Sequence, residues 1–523
     1  MIKIKRALIS VSDKIHLEEL VKTLHEFKVE ILSTGGTAQL IEKLGIPVRP
    51  VSDFTGSPEM FGGRVKTLHP KIHGALLALR EDSQHRDQIE KFGIELIDMV
   101  VVNLYPFEKT IQKPQVTLTE AIENIDIGGP SMLRSAAKNA QSVAVICNPD
   151  NYADIIKEMK GNDGALSKET CFSLAVEVFE KTNEYDRAIA SYLGAQKGKE
   201  NADVLPQTIQ LKFDKVQSLR YGENPHQPAA FYQDKASLVP GIALSKQLHG
   251  KELSFNNILD LDAALNMVKD FKKPTAVILK HNNPCGAASA DTLAGAYKDA
   301  LECDPMSAFG SIVGLNRPVD QETSEAILGA DFVECVLAPG FSAEALELLK
   351  KKKNLRIMQT PDFTKQKISD FQEWDFKRIN GGLLVQNKDL GTLDRTNLKI
   401  VTKRQPTEEE IESLLFAQTV VKHVKSNAIV LAKENKTVGI GAGQMSRVDS
   451  VIISIRKSAG RCRGGVLASD AFFPKADSIE EAVKAGISAI IQPGGSIRDQ
   501  EVIDAADKAN IAMVLTGERH FKH

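Results

Sequence analysis

The sequence has few features of disulfide-rich, zinc-binding or membrane proteins. Its six cysteines among 523 residues are scattered and form no Cys-x-x-Cys pair, which argues against a disulfide framework or a compact zinc site. No apolar run approaches the roughly 18 to 20 residues that a membrane span needs, and the start lacks a cleavage signal. A net charge of -2 gives no general surface for nucleic acid. We therefore expect a soluble, cytoplasmic protein that binds neither membranes nor nucleic acid.

The remaining composition, 42% hydrophobic and 26% charged, is that of a globular protein, and 523 residues are too many for one core. Up to about residue 195, short apolar runs alternate with helical patterns. The predicted strands are 7–11, 29–33, 99–104 and 143–147, and the predicted helices include 15–27 and 37–44. This alternation predicts a parallel sheet with helices on both faces.

A polar segment at 194–206 is predicted to be a linker. Further strands are predicted beyond it, at 275–279, 311–315, 428–432, 465–468, 489–492 and 511–515. The charged and irregular region 350–394 is expected to join two α/β units. The sequence by itself does not demonstrate a duplication within this half.

Polar residues follow the predicted strands of the first part. Ser33-Thr34-Gly35-Gly36-Thr37 follows one strand and opens a helix, where free amides suit a phosphate, although a turn with a Thr cap is the simpler interpretation. Ser12-Asp13-Lys14 follows another strand and is either part of a site or an ordinary helix cap. Further candidates are 64–70, 103–106, 126–129 and the helical pair Arg134 and Lys138, which is otherwise a solvated stripe. Because carboxyl ends of parallel strands share one edge, we expect most of these residues to meet there.

A second cluster is centred on Lys280-His281, directly after the apolar run 276–279. Open α/β sheets present ligands at such strand ends, and 282–284 (Asn-Asn-Pro) allow a turn there, although a solvated strand end is the simpler alternative. The loop 219–227, the SAFG motif at 307–310 and Ser426-Asn427 add polar groups. GIGAGQMSR at 439–447 is interpreted as a hairpin-like turn, because no helix clearly follows it. Phe472-Phe473 beside Asp477 suits a flat ring, although such a pair is more often core.

These motifs occur together in one known family. The first part has SVSDK, STGGT, GGRVKTLHP, NLYPF, IDIGGP and RSAAKN; the second has LRYGENPHQ, KHNNPCG, SAFG, KSNA, GIGAGQMSR and ASDAFFP, with the tail 519–523. Over its whole length the chain resembles the bifunctional family of purine biosynthesis that joins an aminoimidazole carboxamide ribonucleotide (AICAR) formyltransferase to an inosine monophosphate (IMP) cyclohydrolase.

The resemblance implies an α/β fold with two parts. Residues 1–198 would form a methylglyoxal-synthase-like cyclohydrolase domain with a parallel sheet. Residues 199–523 would form the formyltransferase domain, built from two cytidine-deaminase-like units split near 360–395. It also implies a homodimer with the formyltransferase sites between subunits.

The implied reactions are two. A formyl group moves from the cosubstrate 10-formyltetrahydrofolate to AICAR, and the formylated product (FAICAR) then closes to IMP with loss of water. The zinc ligands of true deaminases, His-x-Glu and a second Cys after Pro284-Cys285, are missing from the sequence, so no catalytic metal is expected.

Residue roles in formyl transfer follow from the same resemblance. His281 would be the base, which suits a His near neutral pH, and Lys280 would stabilise the oxyanion or protonate the leaving folate nitrogen. Asn427 completes the implied catalytic set. The implied ribonucleotide contacts are Arg220, Tyr221, Gly310, Glu334, Arg447 and Arg519. The implied folate contacts are Val448, Phe472, Asp477, Ser496 and Ile497.

For ring closure, the resemblance implies the catalytic set Lys66, Tyr105, Asp126 and Lys138. The implied nucleotide contacts are Ser12, Lys14, Thr34, Gly35, Gly36, Thr37, Arg64, Thr67, Asn103, Ile127 and Gly128. Two other classes of protein are alternatives: a regulatory nucleotide sensor and a zinc deaminase. The second cluster argues against the sensor, and the missing ligands argue against the deaminase.

Overall fold

The computed structural model describes residues 1–113, 115–196, 205–235, 237, 239–363, 373–391 and 393–523. The chain forms two compact units, Met1–Ile209 and Gln210–His523. The boundary expected between 198 and 199 lies outside the described residues, as do most of the expected linker 194–206 and part of the expected split at 360–395. Residues 194–196 of that linker belong to a helix that ends at Gln196.

Unit 1 contains a five-stranded parallel sheet with the strand order β4-β3-β2-β5-β6, and β1 pairs separately with β7. The strands are β1 (Ile2–Lys3), β2 (Arg6–Val11), β3 (Glu30–Ser33), β4 (Arg49–Pro50), β5 (Met99–Asn103), β6 (Ala144–Ile146) and β7 (Ala165–Leu166). The helices are α1 (Leu17–Glu26), α2 (Gly35–Lys43), α3 (Val51–Thr55), α4 (Pro70–Leu77), α5 (Ser83–Phe92), α6 (Phe107–Ile111), α7 (Leu118–Glu123), α8 (Gly128–Lys138), α9 (Tyr152–Gly161) and α10 (Lys168–Gln196).

The two faces of this sheet are both buried. Ile9 and Val101 belong to one hydrophobic cluster, while their neighbours Leu8 and Val100 belong to another. Successive side chains of a strand point to opposite faces, so the continuous apolar runs fill two cores at once. The predicted parallel sheet between helices is confirmed.

Unit 2 is built around one twelve-stranded sheet with the order β10-β15-β14-β13-β11-β12-β20-β19-β21-β22-β23-β18. The strands are β8 (Asp214–Leu219), β9 (Ala229–Gln233), β10 (Lys246–His249), β11 (Thr275–Lys280), β12 (Asn283–Ser289), β13 (Ser311–Leu315), β14 (Val333–Ala338), β15 (Arg356–Gln359), β16 (Trp374–Ile379), β17 (Gly382–Asn387), β18 (Lys399–Ile400), β19 (Ile429–Lys433), β20 (Lys436–Gly441), β21 (Val466–Ser469), β22 (Ala489–Gln492) and β23 (Ala512–Leu515). The helices are α11 (Phe255–Val268), α12 (Leu293–Leu301), α13 (Gln321–Leu328), α14 (Ala343–Lys350), α15 (Glu408–Val421), α16 (Arg447–Ser458), α17 (Asp477–Ala485) and α18 (Asp499–Lys508).

The large sheet consists of two copies of one arrangement. In each, a helix (α11 or α15) precedes a hairpin (β11–β12 or β19–β20), and three helix–strand steps follow. Each copy also has a glycine where the second strand of the hairpin approaches the following helix too closely for a side chain. A Cβ on Gly286 would stand 1.9 Å from the carbonyl oxygen of Ala300 in α12, and a Cβ on Gly439 would stand 2.2 Å from the carbonyl oxygen of Ser454 in α16. We call these copies repeat one and repeat two. The antiparallel pair β12 and β20 joins them.

β11 ends at Lys280 and is antiparallel to both of its neighbours. Two expectations about this unit were wrong. The segment 439–447 is not a hairpin-like turn, because Gly441 ends β20 and Arg447 begins α16. The region 350–394 is not irregular throughout, since it contains β15 and the hairpin β16–β17.

None of the helices in the described ranges combines the length and apolar character needed to cross a membrane.

Candidate active sites in the two units

The carboxyl edge of the unit 1 sheet holds the loop after β2. Asn103, the last residue of β5, accepts the backbone N–H groups of Ser12 at 2.6 Å and Asp13 at 2.9 Å through Oδ1. Its Nδ2 donates to the carbonyl oxygen of Asp13 at 2.8 Å. One amide side chain therefore fixes the loop that carries Ser12 and Lys14.

The first turn of α2 lies beside this loop. Thr34 is the N-cap residue, and its side chain makes no capping hydrogen bond to the helix. Thr37 Oγ1 lies 3.2 Å from the backbone nitrogen of Val11, and a Cβ on Gly36 would stand 3.3 Å from Nζ of Lys14. The ammonium group thus lies against a helix start with free N–H groups, an arrangement that suits a phosphate. The structure brings together the predicted residues Ser12, Lys14, Thr34, Gly35, Gly36, Thr37 and Asn103.

A carboxyl group lies at the start of α8. Oδ1 of Asp126 accepts a hydrogen bond from the backbone N–H of Gly129 at 2.8 Å. The backbone N–H of Asp126 donates to the hydroxyl oxygen of Tyr185 at 2.7 Å. Burial raises the pKa of Asp126, and the N–H groups of Gly129 and Tyr105 only partly oppose this effect. A carboxyl group with a raised pKa is suited to giving and taking protons.

The loop 64–67 approaches the same helix start. A Cβ on Gly128 would stand 2.8 Å from Oγ1 of Thr67, so this glycine allows a close approach. Nζ of Lys66 lies 3.0 Å from Oε2 of Glu59, and Arg64 forms an ion pair with Glu123. The side chains of Tyr105 and Ile127 are 55% and 59% exposed to solvent.

Lys138 is separated from this group. It ends α8, ten residues after Gly128, which is about 15 Å along a helix axis. Arg134 of the same helix is exposed, as is Lys138, and its guanidinium lies 5.3 Å from the ring centre of Phe179. The fold of unit 1 therefore brings Lys66, Tyr105 and Asp126 to one region but leaves Lys138 at the far end of α8.

In unit 2, the predicted formyl-transfer residues lie along one edge of the twelve-stranded sheet. We call the edge where β11 ends the site edge. β13, β14, β12 and β19 begin there, and β20, β21 and β22 end there, as their pairings require. Gly310, Glu334, Lys280, His281, Asn427, Arg447, Phe472 and Ser496 stand at or next to those strand ends. From β14 to β22 there are seven strand spacings of about 4.8 Å, or roughly 34 Å, so these residues span more than one ligand subsite.

Lys280 and His281 lie at the centre of the site edge. The turn between β11 and β12 is formed by His281 and Asn282, which have φ angles of 54° and 60°. The expected turn at 282–284 is therefore wrong by one residue, and Asn283 already begins β12. Nζ of Lys280 donates to the carbonyl oxygen of Phe309 at 2.8 Å, and His281 is exposed.

Asn427 is held in place from repeat two. Its Oδ1 accepts a hydrogen bond from Nη2 of Arg447 at 2.8 Å. Its Nδ2 donates to the carbonyl oxygens of Gln444 at 2.9 Å and Met445 at 3.1 Å. Arg447 is only 6% exposed and also forms an ion pair with the fully buried Asp470. Its guanidinium is thus engaged inside the unit, and it orients Asn427.

A cavity of about 270 Å³ opens beside Asn427, and it is lined by Ser426, Asn427, Gly443, Gln444, Met445, Phe521 and His523. The end of the chain forms one wall, because the N–H of Ser426 donates to the carbonyl oxygen of Lys522 at 2.9 Å. The guanidinium of Arg519 lies over the ring of Phe521 at 4.2 Å.

The predicted folate contacts lie farther along the site edge. The two residues of the Phe472-Phe473 pair have different surroundings. Phe473 is buried and belongs to the core, whereas Phe472 is 37% exposed. Val448 is the second residue of α16, Asp477 begins α17, and Ser496 and the fully exposed Ile497 lie in the loop after β22. Arg220 and Tyr221 lie outside the large sheet, just after β8, with the guanidinium 5.7 Å from the ring centre.

Comparisons with known proteins agree with this two-part architecture. The model of an MGS-like domain matches residues 16–131, and that of the AICARFT/IMPCHase bienzyme matches residues 136–457. A bifunctional purine biosynthesis protein PurH from Acetivibrio thermocellus is 53% identical over 520 residues, which cover 99% of this chain and 100% of the relative. Its namesakes from Magnetococcus marinus and Bacillus thuringiensis (strain Al Hakam) are each 52% identical, over 100% and 99% of this chain and all of their own lengths. The chain belongs to the AICARFT/IMPCHase bienzyme family.

As a member of the AICARFT/IMPCHase bienzyme family, the protein is a bifunctional enzyme of purine biosynthesis that catalyses the last two steps of IMP synthesis. Among solved structures, the chain matches one titled crystal structure of ForH, at 33% identity over 37% of this chain and 100% of that chain. The TM-score of this match is 0.35.

The sequence did not indicate four residues that contact the predicted site residues of the two units. Glu59 and Glu123 are the carboxylate partners of Lys66 and Arg64, Tyr185 holds the backbone of Asp126, and Asp470 pairs with Arg447. Asp470 lies inside the ASDAFFP motif, so the motif was a usable signal. The other three lie in segments of ordinary composition and carried none. Within the described ranges, no group of three or more His, Cys, Asp or Glu could hold a metal ion.

Proposed function

We propose that the two chemistries are divided between the units, with ring closure in residues 1–198 and formyl transfer in residues 199–523. The observation that carries this proposal is the existence of two self-contained groups of site residues. One follows the parallel strands of unit 1, and the other follows the site edge of unit 2. Each group contains its own cationic side chains and its own candidate proton carrier, Asp126 in the first and His281 in the second.

Formyl transfer requires help because the 5-amino group of AICAR is a weak nucleophile, its lone pair being delocalised into the ring and carboxamide. As its nitrogen attacks the formyl carbon of 10-formyltetrahydrofolate, His281 accepts the amine proton. The exposed position of His281 on a tight turn supports this role. Lys280 stabilises the developing oxyanion or protonates the folate nitrogen that leaves. Asn427, held by Arg447, orients the ribonucleotide.

The two substrates of this step occupy neighbouring parts of the site edge. Arg220, Tyr221, Gly310, Glu334 and Arg519 contact AICAR, and Arg519 is suited to its phosphate. Arg447 contributes through Asn427. Val448, Phe472, Asp477, Ser496 and Ile497 contact 10-formyltetrahydrofolate, for which the half-exposed ring of Phe472 provides an apolar face. We also propose a homodimer with the sites between subunits, as the resemblance to the family implies.

Ring closure requires the carboxamide nitrogen of FAICAR to attack its formyl carbon, with later loss of water. The helix start at Gly35–Thr37, together with Lys14 and Ser12, holds the phosphate. Lys66, Tyr105 and Asp126 move protons and stabilise the oxyanion, for which the raised pKa of Asp126 is suited. Arg64, Thr67, Asn103, Ile127 and Gly128 complete the nucleotide site. Lys138 remains a predicted catalytic residue and lies at the far end of α8.

We further propose that neither reaction uses a catalytic metal and that the enzyme is cytoplasmic and binds neither nucleic acid nor membranes. The missing deaminase ligands support the first point, and six free, buried cysteines support a reducing compartment.

An ultraviolet assay tests the proposed function. The purified enzyme is supplied with AICAR and 10-formyltetrahydrofolate, and tetrahydrofolate and IMP are followed together. We expect both to form in equal amounts. Formation of tetrahydrofolate without IMP would contradict the assignment of unit 1, and formation of neither would contradict the assignment of both units.

A further inference from the structure

Asp260 lies beneath the turn that carries His281. This half-buried residue of α11 accepts the backbone N–H of Asn282 at 2.6 Å through Oδ1. With its side-chain amide turned to satisfy its neighbours, Asn282 also donates to Asp260 Oδ1 at 3.2 Å and to the carbonyl oxygen of Leu259 at 3.1 Å. One carboxylate therefore anchors the turn through both the backbone and the side chain of Asn282.

Repeat two contains the same turn in a different setting. Glu434 and Asn435 between β19 and β20 have φ angles of 53° and 60°, against 54° and 60° for His281 and Asn282. The helices before the hairpins, α11 and α15, have 14 residues each, and the residue of α15 that matches Asp260 in this register is Ser413. Ser413 is 7% exposed, and its side chain is a neutral hydroxyl group instead of a carboxylate. The turn therefore forms without a carboxylate at this helix position.

The carboxylate of Asp260 is unfavourable as a purely structural group. Burial raises the pKa of Asp260, although the N–H of Asn282 and the charge of His281 act in the opposite direction. Glu334, which pairs with Arg356 at 3.2 Å, adds a second negative charge nearby. A neutral acceptor would meet the same backbone donor with a smaller desolvation penalty.

The charge has a use in the reaction. When His281 takes the proton of the attacking amine, a positive imidazolium forms on the turn. The charged groups around that turn are Asp260 on α11, Glu334 on β14, Lys280 on β11 and Lys425 before β19. Nζ of Lys280 donates to the carbonyl oxygen of Phe309. Asp260 is a negative group fixed directly against the turn, because its Oδ1 accepts the backbone N–H of Asn282.

We propose that Asp260 is a positioning residue for formyl transfer: it fixes the His281 turn and stabilises the imidazolium, without itself taking the proton. This inference rests on the proposed role of His281 as the base. The two repeats then differ at one helix position, where repeat one has the carboxylate of Asp260 and repeat two has Ser413, although the two turns have nearly the same φ angles.

Two variants and one control test this inference in the full-length enzyme. Asp260→Asn keeps a hydrogen-bond acceptor and removes the charge, and Asp260→Ser installs the residue of repeat two. We expect kcat for formyl transfer to fall about tenfold or more in both, with KM for AICAR within about twofold and ring closure of supplied FAICAR unchanged. The acid limb of the kcat profile should move to lower pH, because loss of the carboxylate disfavours the imidazolium. Ser413→Ala, at the matching helix position, should leave all of these quantities unchanged.

The outcomes separate this inference from the proposed function. A wild-type kcat and an unmoved acid limb in Asp260→Asn would overturn the role of Asp260, provided that His281→Ala abolishes formyl transfer. Active His281→Ala enzyme would instead overturn the proposed base. A fall in kcat with no movement of the acid limb would also count against the role in charge stabilisation. If Asp260→Ser does not fold, Asp260→Asn decides the question alone.

Discussion

The side-chain oxygen of Asn283 accepts the backbone N–H of Lys425 at 3.0 Å. Asn283 begins β12 in repeat one, and Lys425 precedes β19 in repeat two. This hydrogen bond therefore fixes the distance between the turn that carries His281 and the segment that carries Asn427. The proposed base and the proposed orienting amide come from different repeats, so their alignment depends on contacts of this kind.

Replacing Asn283 by Ala should loosen this alignment. The side chain of Asn283 also donates to the carbonyl oxygen of His281 at 3.3 Å, so two hydrogen bonds are lost. We expect the free energy of unfolding of unit 2 to fall by about 1 to 3 kcal/mol, the usual net value of two hydrogen bonds, and kcat for formyl transfer to fall more than KM rises. Chemical denaturation and steady-state kinetics measure the two effects. Asn266→Ala is the matched control, because the side chain of Asn266 bonds within its own helix, to Asp262 at 2.9 Å. Equal effects of both variants on kcat would argue against the alignment.

The two activities should separate by mutation. His281→Ala should lower formyl transfer by about a hundredfold or more, since it removes the base, and should leave ring closure of supplied FAICAR intact. Lys280→Ala should do comparable damage to formyl transfer. Lys66→Ala should do the reverse, so that FAICAR accumulates while tetrahydrofolate is released. Each variant is given AICAR and FAICAR separately. Loss of ring closure in a well-folded His281→Ala enzyme would contradict the two-site assignment.

The buried pair of Arg447 and Asp470 should be sensitive to removal of one partner. Arg447→Met leaves the carboxylate of Asp470 in the interior without its ion pair, so we expect the free energy of unfolding to fall by about 3 to 5 kcal/mol. The double variant Arg447→Met with Asp470→Asn should recover part of that loss, because the unpaired charge is gone. Denaturant titration of both variants makes the comparison. A double variant less stable than Arg447→Met would show that the unpaired charge is not the cause.

Unit 2 should lose stability below about pH 6.5. Burial lowers the pKa of His423 although its Nε2 lies 2.8 Å from Oδ2 of Asp270. The unfolded chain binds a proton at about pH 6.5 and the folded chain only at lower pH, so this stabilising contribution is present above 6.5 and lost as pH falls below it. Burial would also raise the pKa of Asp270, but the hydrogen bond of His423 and the charge of Lys422 outweigh it and hold that pKa low. The contribution of Asp270 is therefore lost only below about pH 4.

His423→Gln tests this pH dependence. Its melting temperature should change less than that of the wild type between about pH 7.5 and pH 5. His73 of unit 1, whose pKa burial also lowers, contributes equally to both proteins. A wild-type slope in His423→Gln would exclude His423 as the source.

The purified enzyme should contain no stoichiometric zinc, and a chelator should leave both activities unchanged. The reason is the missing His-x-Glu and second Cys of the deaminase pattern. Metal analysis of the enzyme as purified, followed by both assays after chelation, checks this. One tightly bound zinc per chain whose removal abolishes activity would contradict it.

Much of unit 1 could be predicted because its strands are short apolar runs and its site residues follow them directly. Ser12, Thr34 and Asn103 needed only the rule that parallel strands end at one edge. In unit 2 the apolar run before Lys280 indicated a strand end correctly, but it did not reveal that both neighbouring strands are antiparallel. The helix at Arg447 was missed because its first turn is polar and follows a glycine-rich string.

The partners of the site residues could not be predicted, for a different reason. Asp260 and Tyr185 act through contacts between elements far apart in sequence, and each lies in a helix of ordinary pattern. Only folding brings Asp260 under the turn at His281. The same holds for the match between the repeats, which appears in the turns and in the close approaches of Gly286 and Gly439 rather than in long stretches of shared residues.

The pairing of β12 with β20 has a consequence for synthesis on the ribosome. β12 has a partner on one side, β11, as soon as repeat one is made, but its other side receives β20 only after the chain has grown from Ser289 to Lys436. At 5 to 20 residues per second this takes roughly 7 to 30 seconds. During that time the nascent chain presents an open strand to other nascent chains.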